Sequence, residues 1–235
     1  MNLFFTQDIT NGLAKFDEEE SRHLIVMRKK IGDVVHFTDG KGVFYEGKIA
    51  EIAKKNIFLS IENQRVEEKN TENYLHIAIA PTKNIDRIEW FLEKSTELGI
   101  NEVTFLLCQN SERERIRLDR LEKIVESAMK QSLQATLPKL NDLTKFNDFI
   151  KQKNVFDEKN QGFIAYCNVE NLIAYPTITA PKQTILIGPE GDFSQKEVAL
   201  ALQNAYQGIS LGKNRLRTET AGLYVSTVFY AERFC

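Results

Sequence analysis

Hydrophobic and polar residues alternate with a period of two along parts of the first 70 residues, a pattern that is typical of β-strands. Residues 33–37 and 43–49 form two such segments, and Asp39 and Gly40 between them have the chemistry of a hairpin turn. A further segment at 57–61 also predicts a strand. The N-terminal part is therefore expected to be a small all-β barrel or sandwich, and we interpret the polar stretch 64–73 as a linker.

The pattern changes at residue 74, where short apolar runs begin to alternate with segments of helical periodicity. One helical segment has its apolar face between Ile85 and Leu98 and is expected to end at Gly99; another lies between Leu118 and Met129. The short apolar runs predict strands at 74–80, 103–107, 162–166, 184–187 and 208–211. Strands that alternate with helices predict a layered, mostly parallel sheet.

The last predicted helix, at about 219–234, is apolar on more than one face. A helix of this kind is buried on more than one side. It either lies inside the domain or packs between the sheet and a second subunit. We favour the second arrangement, which makes this helix a homodimer interface.

Composition and charge argue against a membrane protein, a secreted protein and a protein that coats nucleic acid, but they do not indicate a specific function. The chain is 42% hydrophobic and 27% charged, which is ordinary for a globular protein. Its apolar runs are too short to span a bilayer, and its first residues lack the basic flank of a secretory signal, so we expect a cytoplasmic protein without a membrane partner. A net charge of −2 argues against a protein that coats nucleic acid, but it is compatible with a local basic patch.

The cysteines and histidines do not have the spacing of a disulfide framework or a metal site. We therefore expect no metal. Cys108 and Cys167 lie at the ends of predicted strands, where buried packing is the expected role of both. The other residues of these types are Cys235, His23, His36 and His76.

Two glycine-containing loops near the C-terminus carry the strongest chemical signal. The first glycine loop, residues 188–194, reads Gly-Pro-Glu-Gly-Asp-Phe-Ser, and the second glycine loop, residues 211–221, reads Leu-Gly-Lys-Asn-Arg-Leu-Arg-Thr-Glu-Thr-Ala. Each follows a predicted strand and precedes a predicted helix, so each offers bare backbone and free N–H groups to a ligand. Their proximity in sequence predicts one shared pocket, although neither loop has a dinucleotide-binding or P-loop pattern.

Several side chains of these loops have plain structural explanations. Ser194 and Glu197 match a capping box, and Thr218 is expected to cap the final helix. Arg215 and Arg217 are either solvated or bind a ligand, since arginine suits a phosphate or a developing oxyanion.

Residues 185–194 and 211–221 resemble the corresponding motifs of the RsmE family, SPOUT-superfamily methyltransferases that modify N3 of a uridine in small-subunit ribosomal RNA. The resemblance extends over the whole chain. It includes Arg22-His23-Leu24 with Met27-Arg28, the run Lys-Ser-Thr-Glu-Leu-Gly at 94–99, and Ser-Glu-Arg at 111–113.

This resemblance implies an α/β fold with two domains. Residues 1–70 would form an all-β, PUA-like barrel that binds RNA, and residues 71–235 a SPOUT methyltransferase domain. The latter would end in a trefoil knot, at about 162–235, that binds S-adenosylmethionine. The expected partners are ribosomal RNA or the 30S subunit and a second copy of the chain.

The resemblance also implies which residues form the site. The residues that would bind the methyl donor are Ala165, Leu186, Gly188, Pro189, Glu190, Gly191, Leu211, Gly212, Leu216, Arg217 and Thr218. The residues that would contact RNA are Arg22, Arg28, Arg113, Gln131 and Arg215.

For catalysis, we assign Arg217 the role of stabilising charge on the uracil carbonyls. A structural ion pair of Arg217 with Glu219 or Glu190 is the alternative. N3 must also lose its proton, and the same two carboxylates, Glu219 and Glu190, are the candidate acceptors.

The chain departs from the family pattern near the end of the second helix. Relatives carry Glu-Gln, a small residue, Gly and Arg there, whereas this chain has Lys130, Gln131 and, at the later position, Gln134. Two other functions compete with methyl transfer: an RNA-binding assembly factor that has lost catalysis, and a nucleotide-dependent enzyme of doubly wound fold. The intact Arg-Leu-Arg-Thr-Glu-Thr run at 215–220 favours the methyltransferase, and the missing phosphate-loop signatures disfavour the nucleotide enzyme.

Overall fold

The computed structural model describes residues 2–67, 72–152, 156–167 and 172–234. The chain divides into two units: Met1–Lys69 with Glu126–Leu137, and Asn70–Val125 with Pro138–Cys235. Residues 68–71 of the predicted linker and Cys235 lie outside the described residues. Residues 64–66, which we assigned to the linker, belong to a strand instead, because the strand that begins at Ile57 continues to Val66.

The first unit is built on a sheet of six strands, as far as its residues are described. The order across the sheet is β1-β4-β5-β6-β3-β2, and every pair is antiparallel except β1 with β4. The strands are β1 (Leu3–Phe5), β2 (Ile9–Thr10), β3 (Leu13–Phe16), β4 (Val34–Thr38), β5 (Val43–Ile52) and β6 (Ile57–Val66). The expected small β unit is present, as a half-barrel sheet with a helix, α1 (Glu18–Val26), that we did not predict.

The predicted hairpin between β4 and β5 is confirmed. Asp39 Oδ1 accepts the N–H of Lys41 at 2.7 Å and that of Val43 at 3.2 Å, and Gly40 has φ of 71°. Gly40 is also closely packed, because a Cβ at this position would lie 2.8 Å from Leu137 Cδ1. The turn therefore requires glycine both for its backbone conformation and for its packing.

The second unit contains a sheet of seven parallel strands in its described part, which confirms the predicted parallel sheet. The order is β11-β13-β10-β12-β7-β8-β9. The strands are β7 (Tyr74–Ile79), β8 (Glu102–Leu107), β9 (Lys139–Lys145), β10 (Asn160–Ala165), β11 (Ile173–Ala174), β12 (Lys182–Ile187) and β13 (Tyr206–Ser210). We did not predict the short strand β11 or the polar edge strand β9.

Helices cover this sheet because its strands carry apolar side chains on both faces. Leu106, Ile164 and Leu186 share one core cluster with residues of α4 and α5. The helices of the second unit are α2 (Ile85–Glu97), α4 (Phe146–Lys151), α5 (Gln195–Gln203) and α6 (Thr218–Phe234); α3 (Leu118–Gln131) begins in this unit and ends in the first. Gly99 has φ of 79° and follows the C-cap of α2, as predicted.

The final helix, α6, packs closely against α2. Ser226 Oγ donates to Ser95 Oγ at 3.0 Å, and a Cβ at Gly222 would lie 2.6 Å from Phe91 Cε2. Ala221, Val225 and Phe229 are buried, whereas Leu223, Tyr224 and Val228 are only partly buried. No helix among the described residues is long and apolar enough to cross a membrane.

The two predictions for buried cysteines have different outcomes. Cys108 is buried, as expected, whereas Cys167 is exposed, so the prediction for Cys167 is wrong. The physical reason is that β10 ends at Ala165, two residues before the cysteine. The main chain has left the sheet by Cys167, and its N–H donates to Asp192 Oδ2 at 3.2 Å.

Candidate methyl-donor pocket

Three neighbouring parallel strands end together in the second unit. Ala165 at the end of β10 pairs with Ile187 of β12 on one side and with Ile209 of β13 on the other. The first glycine loop leaves β12 and the second leaves β13, so both loops rise from the same edge of the sheet. In open α/β sheets the carboxyl ends of the strands are the usual place for a ligand.

The two loops enclose a cavity of about 700 Å³, a volume in the range of small-molecule and cofactor sites. It is lined by Ala165, Tyr166, Cys167, Leu172, Ile187, Gly188, Pro189, Glu190, Asp192, Ser210, Leu211, Gly212, Lys213, Asn214, Arg215, Leu216, Arg217, Thr218 and Ala221.

Most of the residues assigned to the methyl donor line this cavity, but two do not. Leu186 is fully buried in the core cluster with α4 and α5, because it lies on the opposite face of β12 from Ile187. Gly191 instead lies against Asn110, whose amide donates to the Gly191 carbonyl at 3.3 Å. Sequence reasoning did not identify Tyr166, Cys167 and Leu172 as lining residues, since no motif marks the segment after β10.

Local hydrogen bonds shape the first glycine loop and the start of the helix that follows it. Asp192 has φ of 62° and donates its N–H to the Pro189 carbonyl at 2.9 Å. Ser194 and Glu197 form the predicted capping box at the start of α5, in which the Ser194 N–H donates to Glu197 Oε2 at 2.9 Å. The capping role of Ser194 is confirmed.

The expected role of Thr218 as a helix cap is wrong. Thr218 is itself the first residue of α6, and its Oγ1 donates to the Gly188 carbonyl at 3.0 Å. Arg217 supplies the carbonyl that accepts from the N–H of Ala221. The Thr218 hydroxyl therefore ties the second glycine loop to the first.

The two arginines of the second glycine loop differ in their contacts. Arg215 Nη2 donates to the Glu190 carbonyl at 2.9 Å, which is a second tie between the loops. Arg217 is exposed in the cavity wall, and its guanidinium makes no hydrogen bond or ion pair with any described residue. The alternative ion pair of Arg217 with Glu219 or Glu190 is thus not formed.

Both candidate carboxylates have one buried oxygen without a hydrogen-bond partner among the described residues, Oε2 in each case. Glu190 lines the cavity, and its Oε1 accepts the N–H of Lys83 at 3.0 Å. Glu219 does not line the cavity, and its Oε1 lies 3.8 Å from Arg87 Nε. A buried acceptor without a donor is costly, so each oxygen is available to a donor from outside the described chain.

The residues assigned to RNA contact lie in both units. Arg113 belongs to the second unit and is partly buried there; its Nε donates to the Thr82 carbonyl at 2.9 Å and its Nη2 to the Lys83 carbonyl at 2.5 Å. Arg22 on α1, Arg28 just after α1, and Gln131 at the end of α3 belong to the first unit and are exposed. Arg28 has a left-handed backbone with φ of 58°.

The unusual Lys130 has a structural explanation within the first unit. Its ammonium pairs with the buried carboxylate of Glu20 and lies 3.0 Å from Glu126 Oε1. Burial alone would lower the pKa of Lys130, but hydrogen bonds and charges of these two carboxylates raise it above its usual value. The departure from the family pattern thus supplies a cation to a buried carboxylate.

Comparisons with known proteins identify the family. A model of an RNA methyltransferase domain matches residues 68–230, and a model of an RNA methyltransferase PUA domain matches residues 16–62. Ribosomal RNA small subunit methyltransferase E of Mesomycoplasma hyopneumoniae (strain 232) is 31% identical over 166 residues, which cover 68% of this chain and 70% of that protein. The chain belongs to the RsmE family of RNA methyltransferases.

Solved structures of similar proteins share this fold. A probable rRNA-methyltransferase from Porphyromonas gingivalis superposes with a TM-score of 0.88 at 38% identity, covering 99% of this chain and 100% of that one. An RsmE from Neisseria gonorrhoeae, bound to S-adenosyl methionine, gives a TM-score of 0.83 at 24% identity, with 99% and 98% coverage. The predicted α/β fold, with a methyltransferase domain preceded by a PUA-like unit, is confirmed; the SPOUT assignment and the knot stay predictions.

Proposed function

We propose that this RsmE family member transfers a methyl group from S-adenosylmethionine to N3 of a uridine in small-subunit (16S) ribosomal RNA. The observation that carries the proposal is the cavity between the two glycine loops, at the carboxyl ends of β10, β12 and β13. Support comes from the relatives named ribosomal RNA small subunit methyltransferase E and from the RsmE structure of the same fold that holds S-adenosyl methionine.

The residues of the cavity fit such a donor. The cavity is large enough for a nucleoside with an amino-acid tail, and its wall includes glycines where backbone can approach a ligand closely. The buried oxygen of Glu190 that has no hydrogen-bond partner lies in the wall of this cavity, which also carries Asp192, Lys213, Arg215 and Arg217. When bound, S-adenosylmethionine supplies the methyl group on a positively charged sulfur.

The protein's own residues then have three tasks. The glycine loops hold the donor and the base together, which lowers the entropic barrier. Arg217, which has no ion-pair partner among the described residues, stabilises negative charge on the uracil when N3 loses its proton. Of the two candidate acceptors for that proton, we favour Glu190, because it lines the cavity and Glu219 does not.

The proposal extends to RNA binding and assembly. N3 lies on the pairing edge of uracil, so the target base must be unpaired or extruded. We propose that Arg22, Arg28 and Gln131 of the PUA-like unit, together with Arg215, contact the RNA. We also propose that the partly buried apolar side chains Leu223, Tyr224 and Val228 of α6 pack in a homodimer, and that the protein works in the cytoplasm beside its ribosomal substrate.

Calorimetric titration with S-adenosylmethionine tests the first step. We expect one donor to bind per chain, and we expect binding to be lost when a bulky residue is placed at Gly188, where a Cβ would already lie 3.1 Å from Phe193 Cδ2. Absence of donor binding by the folded wild-type protein would remove the methyltransferase proposal and leave an RNA-binding factor as the alternative.

A further inference from the structure

A turn outside the cavity is held from one side by Arg113. The turn comprises residues 80–84, between β7 and α2, and Thr82 within it is fully buried. The Arg113 guanidinium donates from Nε to the Thr82 carbonyl at 2.9 Å and from Nη2 to the Lys83 carbonyl at 2.5 Å. One planar group thus fixes two successive carbonyls, a geometry that lysine cannot reproduce.

The same turn is connected on its other side to the cavity wall. The Lys83 N–H donates to Glu190 Oε1 at 3.0 Å, and Arg215 Nη2 donates to the Glu190 main-chain carbonyl at 2.9 Å. A continuous series of hydrogen bonds therefore runs from Arg113 through the turn and Glu190 to the second glycine loop. Each link involves residues of the second unit only.

The contacts of Arg113 differ from those expected of a residue that binds RNA phosphates. Two of its donor positions are directed at main-chain carbonyls, and the side chain is partly buried. The neighbouring Glu112 lies 2.9 Å from Lys83 Nζ, so the local positive charge is offset. Arg115, two residues later, is exposed, and its side chain makes no contact of these kinds with a described residue.

We propose that Arg113 is a positioning residue: it fixes the 80–84 turn and thereby orients Glu190 and the first glycine loop for the methyl donor. This replaces the RNA-contact role that the sequence suggested for Arg113. The inference rests on the proposed function in one respect, namely that the cavity holds S-adenosylmethionine.

The variants Arg113→Lys and Arg113→Ala test the proposal, with Arg115→Ala as the matched control. Donor affinity is measured by calorimetry on the full-length folded proteins. Both Arg113 variants should bind the donor about tenfold more weakly, since each loses charge-assisted hydrogen bonds to the turn. Arg115→Ala should bind the donor like the wild type.

A direct RNA contact by Arg113 predicts the opposite pattern. Arg113→Lys would then bind RNA like the wild type, because lysine keeps the charge. Arg113→Ala would bind RNA more weakly, and about one counterion fewer would be released on binding, which lowers the salt dependence of the RNA affinity. Donor affinity would be unchanged in both variants. That result would overturn the positioning role.

A double-mutant cycle tests whether Arg113 acts through Glu190. If it does, adding Arg113→Ala to Glu190→Ala should weaken donor binding further by much less than Arg113→Ala does alone. Additive effects would show that Arg113 does not act through this carboxylate.

Hydrogen exchange separates a failure of this inference from a failure of the proposed function, because it needs no donor. In the free protein, the amides of Lys83, Gly188 and residues 190–192 should exchange faster in Arg113→Lys than in the wild type or Arg115→Ala. Unchanged exchange would refute the positioning role even if the donor binds. Faster exchange without donor binding in the wild type would support the positioning role and refute the proposed cofactor.

Discussion

At the scale of single residues, the site depends on which polar side chains are already engaged. Thr218, Arg215 and Arg113 all hold main-chain carbonyls, whereas the Arg217 guanidinium has no partner among the described residues. The two loop motifs were enough to predict the cavity from the sequence. They could not predict which of these side chains bind main-chain carbonyls and which one does not. A motif gives only the residue type, and the fold determines whether a carbonyl lies within reach of the side chain.

Arg217→Ala should lower the rate of methyl transfer by about 10²–10³-fold, because a developing negative charge loses its stabilising cation. Donor affinity should change little, since the Arg217 guanidinium supports no other described residue. Single-turnover assays together with calorimetry would measure the two effects separately. Arg217→Lys is the control, and it should keep part of the activity because it keeps the charge. Full activity in Arg217→Ala would refute the assigned role.

Glu190→Gln should separate proton acceptance from loop support. The glutamine carbonyl oxygen can still accept the Lys83 N–H, so donor affinity should remain close to that of the wild type. Methyl transfer should fall about 10²-fold, because an amide cannot take the N3 proton. The corresponding variant Glu219→Gln is the comparison. Loss of activity in Glu219→Gln alone would identify Glu219 as the acceptor.

His76 gives the stability of the second unit a specific pH dependence. Its Nε2 lies 2.8 Å from Thr104 Oγ1, and burial lowers its pKa from 6.5 to about 4, although the charge of Glu102 opposes this shift. The unfolded chain therefore binds more protons than the folded one between these values, so stability falls as the pH drops from 6.5. Between pH 7 and pH 4.5 the loss should be about 2 kcal/mol, measured by urea unfolding. In His76→Gln the free energy of unfolding should depend less steeply on pH. A slope equal to that of the wild type would show that His76 is not the group responsible.

At the scale of elements, periodicity predicted the long apolar strands and helices and missed the short or polar ones. The helix α1 has a polar sequence, and its signals are the capping Asp17 and the acidic residues that follow it. The edge strand β9 is also largely polar, and it pairs with β8 through main-chain bonds that no side-chain pattern reveals. Elements held mainly by tertiary pairing are the ones that single-sequence patterns miss.

Gly222 allows the close approach of α6 to α2, so Gly222→Ala should destabilise the protein. The new Cβ would lie 2.6 Å from Phe91 Cε2 and 3.2 Å from Ile79 Cδ1. Overpacking of this kind costs about 1–3 kcal/mol, and at a contact this short we expect it to outweigh the gain of roughly 1 kcal/mol in helix propensity. Thermal unfolding would measure the change. The exposed Thr220→Ala in the same helix should be neutral or stabilising, and higher stability in Gly222→Ala would contradict the tight-packing account.

At the scale of the whole molecule, alternating strands and helices predicted a parallel sheet but not the order of its strands. In that order β12 and β13 lie on the two sides of β10. The glycine loops that follow them therefore lie close together, although α5 separates the loops in sequence. Such an order depends on contacts between distant residues, which one sequence without relatives does not reveal. The shared pocket was nevertheless predictable, because both loops follow parallel strands and therefore rise from the same edge.

The most direct test of the proposed reaction is mass mapping of small-subunit ribosomal RNA from cells with and without this protein. We expect one uridine to carry an N3-methyl group only when the protein is present, and we expect that the Arg217→Ala protein does not restore it. An unchanged methylation pattern after loss of the protein, or a methyl group at a different base or atom, would contradict the proposed reaction.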